Sequence, residues 1–336
     1  MLEGRPSSFL FKKLDFSVYI CMRRLLFLLS IIPLLLSCSP STNKAGFGIA
    51  TWNMCQFFDS REDGGEFSGW RESDGWNDEK YNERIKKTIM HMASNFKEAD
   101  VIILEEVESR EVLISLLEGG LKKEGYIYYG IASEESGLNV AFISRIKPYS
   151  VSLLFLPEAR PMLEMDFNIE GERVRVIGVH LRSRLEEENK DIRREELMFL
   201  KDEAKDFDGS LIILGDFNID PLIHKDEMCG SREGETVLPL TGDGSRARDG
   251  WLYSPFLDFA SPLLDGTYYY DGNWERLDNI LLSSSFFDGE GIEYIESRVI
   301  KGSDGSDYSG RPIKYDKSTG KGLSDHFALM ATFNIQ

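Results

Sequence analysis

The chain has 336 residues, 42% hydrophobic and 12% aromatic, and carries a formal net charge of −18. Its length and composition support a sizeable core, in one large domain or two ordinary ones. The acidity excludes a non-specific polyanion binder, because such a surface repels phosphate backbones at long range; a phosphate substrate would need a local positive feature, most simply a bound metal cation.

Residues 1–37 hold Arg5, Lys12, Lys13, Arg23 and Arg24 against Glu3 and Asp15, a net of +3 that leaves −21 for the rest. Met22-Arg23-Arg24 precedes an apolar run, Leu25 to Leu36, that is short for a membrane span and ends at small residues, the pattern of a secretory signal. Leu35-Leu36-Ser37-Cys38 resembles a bacterial lipobox, with Leu at a position usually held by a small residue. The expectation is a lipidated Cys38, with an ordinary signal peptide or an uncleaved anchor as the other readings. Residues 1–38 are thus read as a leader, 1–21 as an upstream extension with Met22 as the start, 39–45 as a tether and 46–336 as one domain. Past Cys38 only Cys55 and Cys229 remain. Two distant cysteines make no disulfide scaffold; one bridge and two free thiols both stay open.

Phe47 to Trp52 reads as a first strand, ending at Asn53. Residues 59–80 are rich in Asp, Glu, Gly and Trp, a long polar loop. From Tyr81 the apolar positions Ile85, Ile89, Met92 and Phe96 share one helical face. Val101 to Leu104 is a strand ending at Glu105-Glu106, followed by an amphipathic helix around 112–121. A β-rich middle follows in 126–130, 140–145, 151–156, 163–169 and 174–180, with a hairpin turn at Gly171. A charged helix is expected over 186–206, with Ile192, Phe199 and Leu200 inward. Leu211 to Leu214 is an aliphatic run stopped by Gly215, a buried strand delivering Asp216 and Asn218. Residues 226–250 and 301–322 read as polar excursions, while 277–282 and 327–333 read as strands. Helices interleave with strands that often follow one another directly, which argues for an α+β domain of layered sheets with helices outside.

Six apolar runs end or open at acid, amide or imidazole: at Asn53, Glu106, His180, Asp216 with Asn218, Asp278, and Asp325 with His326. Each alone has a bland reading. Asn53 suits a turn, Glu106 a solvated surface, His180 a satisfied half-buried imidazole, and Asp278 or Asp325 a cap. Together they offer hard oxygen ligands for Mg²⁺, Mn²⁺ or Ca²⁺, and no Cys/His cluster has zinc spacing.

Thr51-Trp52-Asn53, Ile103-Leu104-Glu105-Glu106-Val107, Gly178-Val179-His180-Leu181, Gly215-Asp216-Phe217-Asn218, Leu277-Asp278-Asn279-Ile280 and Ser324-Asp325-His326, in that order, resemble the endonuclease/exonuclease/phosphatase family with its deoxyribonuclease I-like fold. The resemblance covers about residues 46–336. Gly266 to Tyr270 with Gly272-Asn273-Trp274 is similar to secreted bacterial members, and Asn139 to Arg145 to the family's strand ending in Ser-Arg. One departure is Glu105, where the family usually has Gln; its side chain is expected on the strand face opposite Glu106.

The resemblance implies a four-layer α/β sandwich, two mixed sheets face to face with helices on both outer faces, and a site where the strand ends converge. It implies hydrolysis of a phosphate ester. Glu106, with Asn53 and Asp325, would hold a divalent ion. Asp216 would orient or deprotonate the attacking water, and Asn218 would hold that water or a phosphate oxygen. His326, oriented by Asp278, would contact the phosphate, and His180 would be a second contact or general acid. Arg145 and Arg182 are the candidate substrate-binding cations. Trp70, Trp76 and Trp274 could stack on bases or pack loops onto the core, the second being the commoner role. The implied protein is a metal-dependent nuclease or phosphodiesterase, a lipid-anchored monomer in a bacterial cell envelope. The competing readings are a phosphatase or phospholipase on inositol phosphates or sphingomyelin, and a non-catalytic surface-binding lipoprotein.

Overall fold

The computed structural model describes residues 14–15 and 46–336, apart from 134–136, 187, 233–234, 248–249, 261–262 and 264–265. Apart from Leu14–Asp15, the leader, with Cys38, and the tether at 39–45 lie outside the described residues. The first half holds β1 (Gly46–Phe57), α1 (Asp78–Asn95), β2 (Val101–Val107), α2 (Arg110–Gly119), β3 (Tyr128–Ile131), β4 (Asn139–Ser144), β5 (Ser150–Leu154) and β6 (Met162–Ile169). The second half holds β7 (Glu172–His180), α3 (Asn189–Asp206), β8 (Ser210–Asp216), β9 (Tyr268–Tyr270), β10 (Asn273–Glu275), β11 (Asp278–Leu282), β12 (Ile292–Ile300) and β13 (Ala328–Ile335).

Two mixed sheets pack face to face. One has six strands in the order β12-β13-β1-β2-β4-β3. The other runs β5-β6-β7-β8-β11, extended at its ends by the short strands Leu14–Asp15, Leu252–Tyr253 and Leu240–Thr241. Among the described residues only the β1–β2, β7–β8 and Leu240–Leu252 pairings are parallel.

Strand alternation builds three apolar layers from these two sheets. Val101 and Ile103 of β2 face the space between the sheets, with Ile212 and Leu214 of β8 and Val174 and Val176 of β7. Ile102 and Leu104 face outward onto α1 and α2, against Ile85, Met92, Val112 and Leu116. Leu211 and Ile213 face the other way onto α3, against Leu197 and Leu200. The chain is therefore a four-layer α+β sandwich, as its sequence implied. Asn77 caps α1 by accepting the Lys80 N–H at 3.1 Å. The β6–β7 hairpin turns through Glu170 and Gly171, both at positive φ, a backbone suited to a tight two-residue turn.

Two parts differ from the expected pattern. Residues 226–250 are more than an excursion, since they bury Val237 and Leu238 and add a strand at the sheet edge. Ile292–Ile300, not expected as a strand, forms the edge of the six-stranded sheet. Cys55 and Cys229 are both free thiols. Trp70 and Trp76 are buried against each other and Tyr315, and Trp274 stacks on Phe327, so all three pack loops. Among the described residues no helix is long and apolar enough to cross a membrane.

Gly215 shows how tightly the site end of β8 is built. Its φ is +143°, and a Cβ there would lie 1.9 Å from the Val179 carbonyl oxygen. Backbone cannot yield as a side chain does, so Gly215→Ala is expected to destabilise the fold by roughly 3 kcal/mol or more. Denaturant unfolding checks this; a loss under about 1 kcal/mol would contradict the packing described.

Candidate active site

The alternation that buries the inter-sheet core also makes the site. In β1, Ile49, Thr51 and Asn53 share a face; in β7, Val174, Val176 and His180 do; in β8, Ile212, Leu214 and Asp216; and in β11, Leu282, Ile280 and Asp278. At one end of the sandwich each of these apolar rows becomes polar. The register sets His180, Asp216 and Asp278 side by side on three neighbouring strands. Asn53, on the opposite sheet, closes the gap by donating Nδ2 to Asp216 Oδ2 at 2.9 Å.

Glu106 reaches this cluster by breaking the alternation. Its φ is +60°, and β2 is irregular against both neighbours at this point. Cys55 and Gln56, at φ +54° and +53°, turn the neighbouring strand in the same way. Left-handed backbone at three non-glycine residues is uncommon and is held here by specific bonds. Gln56 N–H donates to Glu106 Oε2 at 2.7 Å, and Cys55 N–H to Asn53 Oδ1 at 2.9 Å. Beneath them Arg84, fully buried, donates to the carbonyls of Met54, Cys55 and Gln56 at 2.7–2.9 Å. Its guanidinium lies 4.1–5.0 Å from the ring centroids of Phe57, Trp70 and Tyr315.

His326 enters from the turn before β13. Its Nδ1 is 2.8 Å from Asp278 Oδ2, and its ring centroid is 4.8 Å from that of Tyr268. Ser324 fixes the turn by donating to Asn53 O at 2.6 Å and accepting the His326 N–H at 3.0 Å. One ligand atom each from Asp216, Asp278 and His326 falls within 4.8 Å of the others. His180 Nε2 is 3.7 Å from Asp216 Oδ2 and 3.9 Å from Glu106 Oε1.

Burial sets the protonation of these groups. Burial lowers the His326 pKa, but the charge and hydrogen bond of Asp278, with Asp216 and Asp325, outweigh it and raise the pKa to about 10. His326 is therefore an imidazolium at neutral pH. His180 is held well below its ordinary range, by burial first and then by the Arg160 and His326 charges, so it is neutral. A neutral imidazole can donate an N–H to phosphate but holds no spare proton, which favours contact over acid catalysis. Asp216 is raised to about 7, by burial and then by the Asp278 charge, which the imidazolium of His326 partly offsets. For Asp325, burial raises the pKa, but the His326 and Lys314 charges prevail and lower it.

Glu105 does not turn away from the site. It keeps the parity of Ile103, so it points between the sheets and is fully buried, with Thr51 Oγ1 donating to it at 2.5 Å. Burial and the Asp278 charge push its carboxyl well above the usual range. Asn53 presents its amide nitrogen to Asp216 and, at 3.4 Å, to Glu106, while its oxygen accepts from Cys55. Asn218 donates its backbone N–H to Asp216 Oδ1 at 2.8 Å and its side-chain amide to Leu181 O at 2.9 Å.

The two predicted arginines do not join this cluster. Arg145 lies at the opposite end of the sheet, where Ser144 pairs with Val101; it donates to Glu124 O and Lys97 O and covers the Tyr126 ring. The end of β4 that reaches the site is the Asn139 end, paired with Val107. Arg182 spends its guanidinium on the Glu158 carbonyl. Among the described residues, two loop cations near the acids are ones that the sequence did not single out. Arg160 donates to Leu181 O at 2.8 Å and sits in the field of Glu106 and Asp216, and Lys314 Nζ is 3.4 Å from Asp325 Oδ2. Both come from irregular loops, where no periodicity marks them.

The donor set suits a hard divalent cation. Glu106 and Asp325 supply carboxylate oxygen, and a lysine ammonium already lies against Asp325, where positive charge is favoured. Asp278→Asn provides a check on the His326 charge. Raised above its unfolded value of 6.5, the imidazolium adds stability that is full below about 6.5 and fades as pH rises through about 10. Without the Asp278 carboxylate that pKa falls, so turnover of Asp278→Asn is expected to decline between about pH 6 and 8.5 while wild type does not. Parallel pH–rate profiles of kcat would refute the pairing.

The family model described as Endonuclease/Exonuclease/phosphatase family matches residues 48–334. Among curated proteins none matches the chain in sequence. Among solved structures, D. rerio TDP2 complexed with single strand DNA product is 15% identical, with 86% of this chain and 99% of that one covered and a TM-score of 0.57. An endonuclease/exonuclease/phosphatase family protein from Bacteroides thetaiotaomicron is 14% identical over 87% and 98%, with a TM-score of 0.56. TDP2 from C. elegans is 15% identical over 86% and 75%, with a TM-score of 0.54. Identities this low speak for the fold alone, but the family match spans nearly the whole described domain and falls on the elements that carry the acid and imidazole cluster. The chain belongs to the endonuclease/exonuclease/phosphatase family.

Proposed function

We propose that this protein is a divalent-cation-dependent phosphodiesterase that cleaves nucleic acid. The observation that carries the reading is the meeting of Asn53 and Glu106 from one sheet with His180, Asp216 and Asp278 from the other, beside an Asp278-paired His326. Glu106 and Asp325 would hold the cation. When bound, it would act as a Lewis acid on the phosphate and offset charge repulsion.

The chain's own groups then have separate tasks. The His326 imidazolium contacts a phosphate oxygen and stabilises charge that grows in the transition state. Neutral His180 adds a hydrogen bond from Nε2. Asp216, with a pKa near neutrality, holds the attacking water and takes its proton; Asn53 and the Asn218 N–H fix its two oxygens. Arg160 and Lys314 supply the local positive field that the acidic surface lacks. The complex of D. rerio TDP2 with a single-strand DNA product supports nucleic acid over a lipid or inositol phosphate. Phosphatase or phospholipase action is the runner-up.

The test is purified protein with Mg²⁺, Mn²⁺ or Ca²⁺ on DNA, RNA, sphingomyelin and bis-(p-nitrophenyl) phosphate. DNA or RNA cleavage that a chelator abolishes is the expected result. Cleavage confined to sphingomyelin would replace the nucleic-acid reading, and no turnover on any substrate would favour a binding protein. An anchor at Cys38 on a bacterial envelope belongs to the same proposal, and failure of radiolabelled palmitate to label that residue would remove it.

A further inference from the structure

Two residues beyond Glu106, Glu108 enters a second acidic cluster that the hydrolytic chemistry does not use. One carboxylate oxygen each from Asp63, Glu66 and Glu108 lies within 4.8 Å of the others. Asp63 is exposed, whereas Glu66 and Glu108 are only 6% and 5% exposed. Glu108 Oε2 accepts the Asp59 N–H at 2.6 Å, and Glu66 accepts from the Asp63 and Gly64 N–H groups. Glu108 Oε1 is different. Among the described residues it has no donor, and it has no contact with solvent. A buried carboxylate oxygen left bare is costly and calls for a partner. Among the described residues no Lys or Arg forms an ion pair with any of the three acids.

Three carboxylates this close repel one another unless a cation or a proton joins them. Anionic oxygen donors select a hard ion. Ca²⁺ binds oxygen at about 2.3–2.6 Å, so ligands across it are about 4.6–5.2 Å apart, which accommodates the observed spread. We propose that Asp63, Glu66 and Glu108 bind a calcium-class cation at a site separate from the hydrolytic centre. The ion would tie the loop after β1 to the end of β2. That loop carries Trp70, whose Nε1 donates to Gln56 Oε1 at 2.9 Å, and Gln56 in turn holds Glu106. The site therefore braces the backbone behind the catalytic glutamate without touching substrate.

The experiment uses Tb³⁺ luminescence excited through tryptophan, displacement by Ca²⁺, and thermal unfolding with and without Ca²⁺. It compares wild type, Asp63→Asn, Glu66→Gln and Glu108→Gln with Glu106→Gln, which weakens the hydrolytic centre instead. The expected result is a Ca²⁺-displaceable Tb³⁺ signal and a Ca²⁺-dependent rise in Tm that survive in Glu106→Gln. Asp63→Asn and Glu66→Gln should bind at least about tenfold more weakly and lose the rise. Exposed Asp63 keeps the test decisive if Glu108→Gln fails to fold. Loss of all binding in Glu106→Gln, or an unchanged response in Asp63→Asn and Glu66→Gln, would overturn the proposal.

Discussion

Asp216→Ala is expected to lower kcat on a phosphodiester by on the order of a hundredfold or more, with little change in KM, in a protein that still folds. The side chain is buried where its charge is disfavoured, as its raised pKa shows. A carboxyl raised above its unfolded value loses stability as pH climbs through about 7, so its charge does not stabilise the fold at neutral pH, and the cost of removing it is that of leaving the Asn53 and Asn218 donors unpaired. What is lost is the group that Asn53 and the Asn218 N–H hold in place. Single-turnover kinetics on bis-(p-nitrophenyl) phosphate, beside His326→Ala, would measure the effect. Activity within about threefold of wild type would remove Asp216 from the mechanism.

Arg84→Leu should act through structure instead. Among the described residues the guanidinium has no carboxylate bonded to it, and it serves three consecutive carbonyls from beneath the kinked end of β1. Hydrogen bonds from a charged donor are worth about 1.5–3 kcal/mol each, and desolvated cation–π contacts about 2. Such terms overlap, so the expected net loss is roughly 3–5 kcal/mol rather than their sum. Because those carbonyls belong to Met54, Cys55 and Gln56, the variant should also need more divalent cation for half-maximal activity. Denaturant unfolding and a Mg²⁺ titration are the measurements. A loss below about 1 kcal/mol with unaltered cation demand would contradict this role, and Arg84→Lys should recover only part of it, lacking the planar fork.

The parts of the fold that could be read from sequence are those where one residue type serves one environment. Leu211 to Leu214 are aliphatic because β8 is covered on both faces, and Gly215 marks where the chain crowds Val179. Ile292–Ile300 carries little strand signal because it is an edge strand. Glu293, Glu296 and Arg298 protect it from pairing and erase its apolar rhythm. In the site, strand ends were legible because an apolar row turning polar is a local signal. Arg160 and Lys314 reach the acids from loops, and such long-range placement leaves no trace in spacing. Arg145 failed for a directional reason: antiparallel β4 brings its first residue, not its last, to the catalytic end. Glu105 shares the inward side with Glu106 because the left-handed backbone at Glu106 suspends the alternation that spacing implies.

The Asn53–Asp216 hydrogen bond crosses from one sheet to the other. The Asp278–His326 pair crosses with it, and beneath both the apolar layer between the sheets sets their relative height and tilt. The reacting geometry is thus a vernier reading of how the two halves of the sandwich are seated. Trimming Phe167 or Ile212, deep in that layer, would let the sheets slide by fractions of an ångström. Catalysis would register the slip while the protein was still folded, since interiors transmit strain and reaction rates are steep in distance.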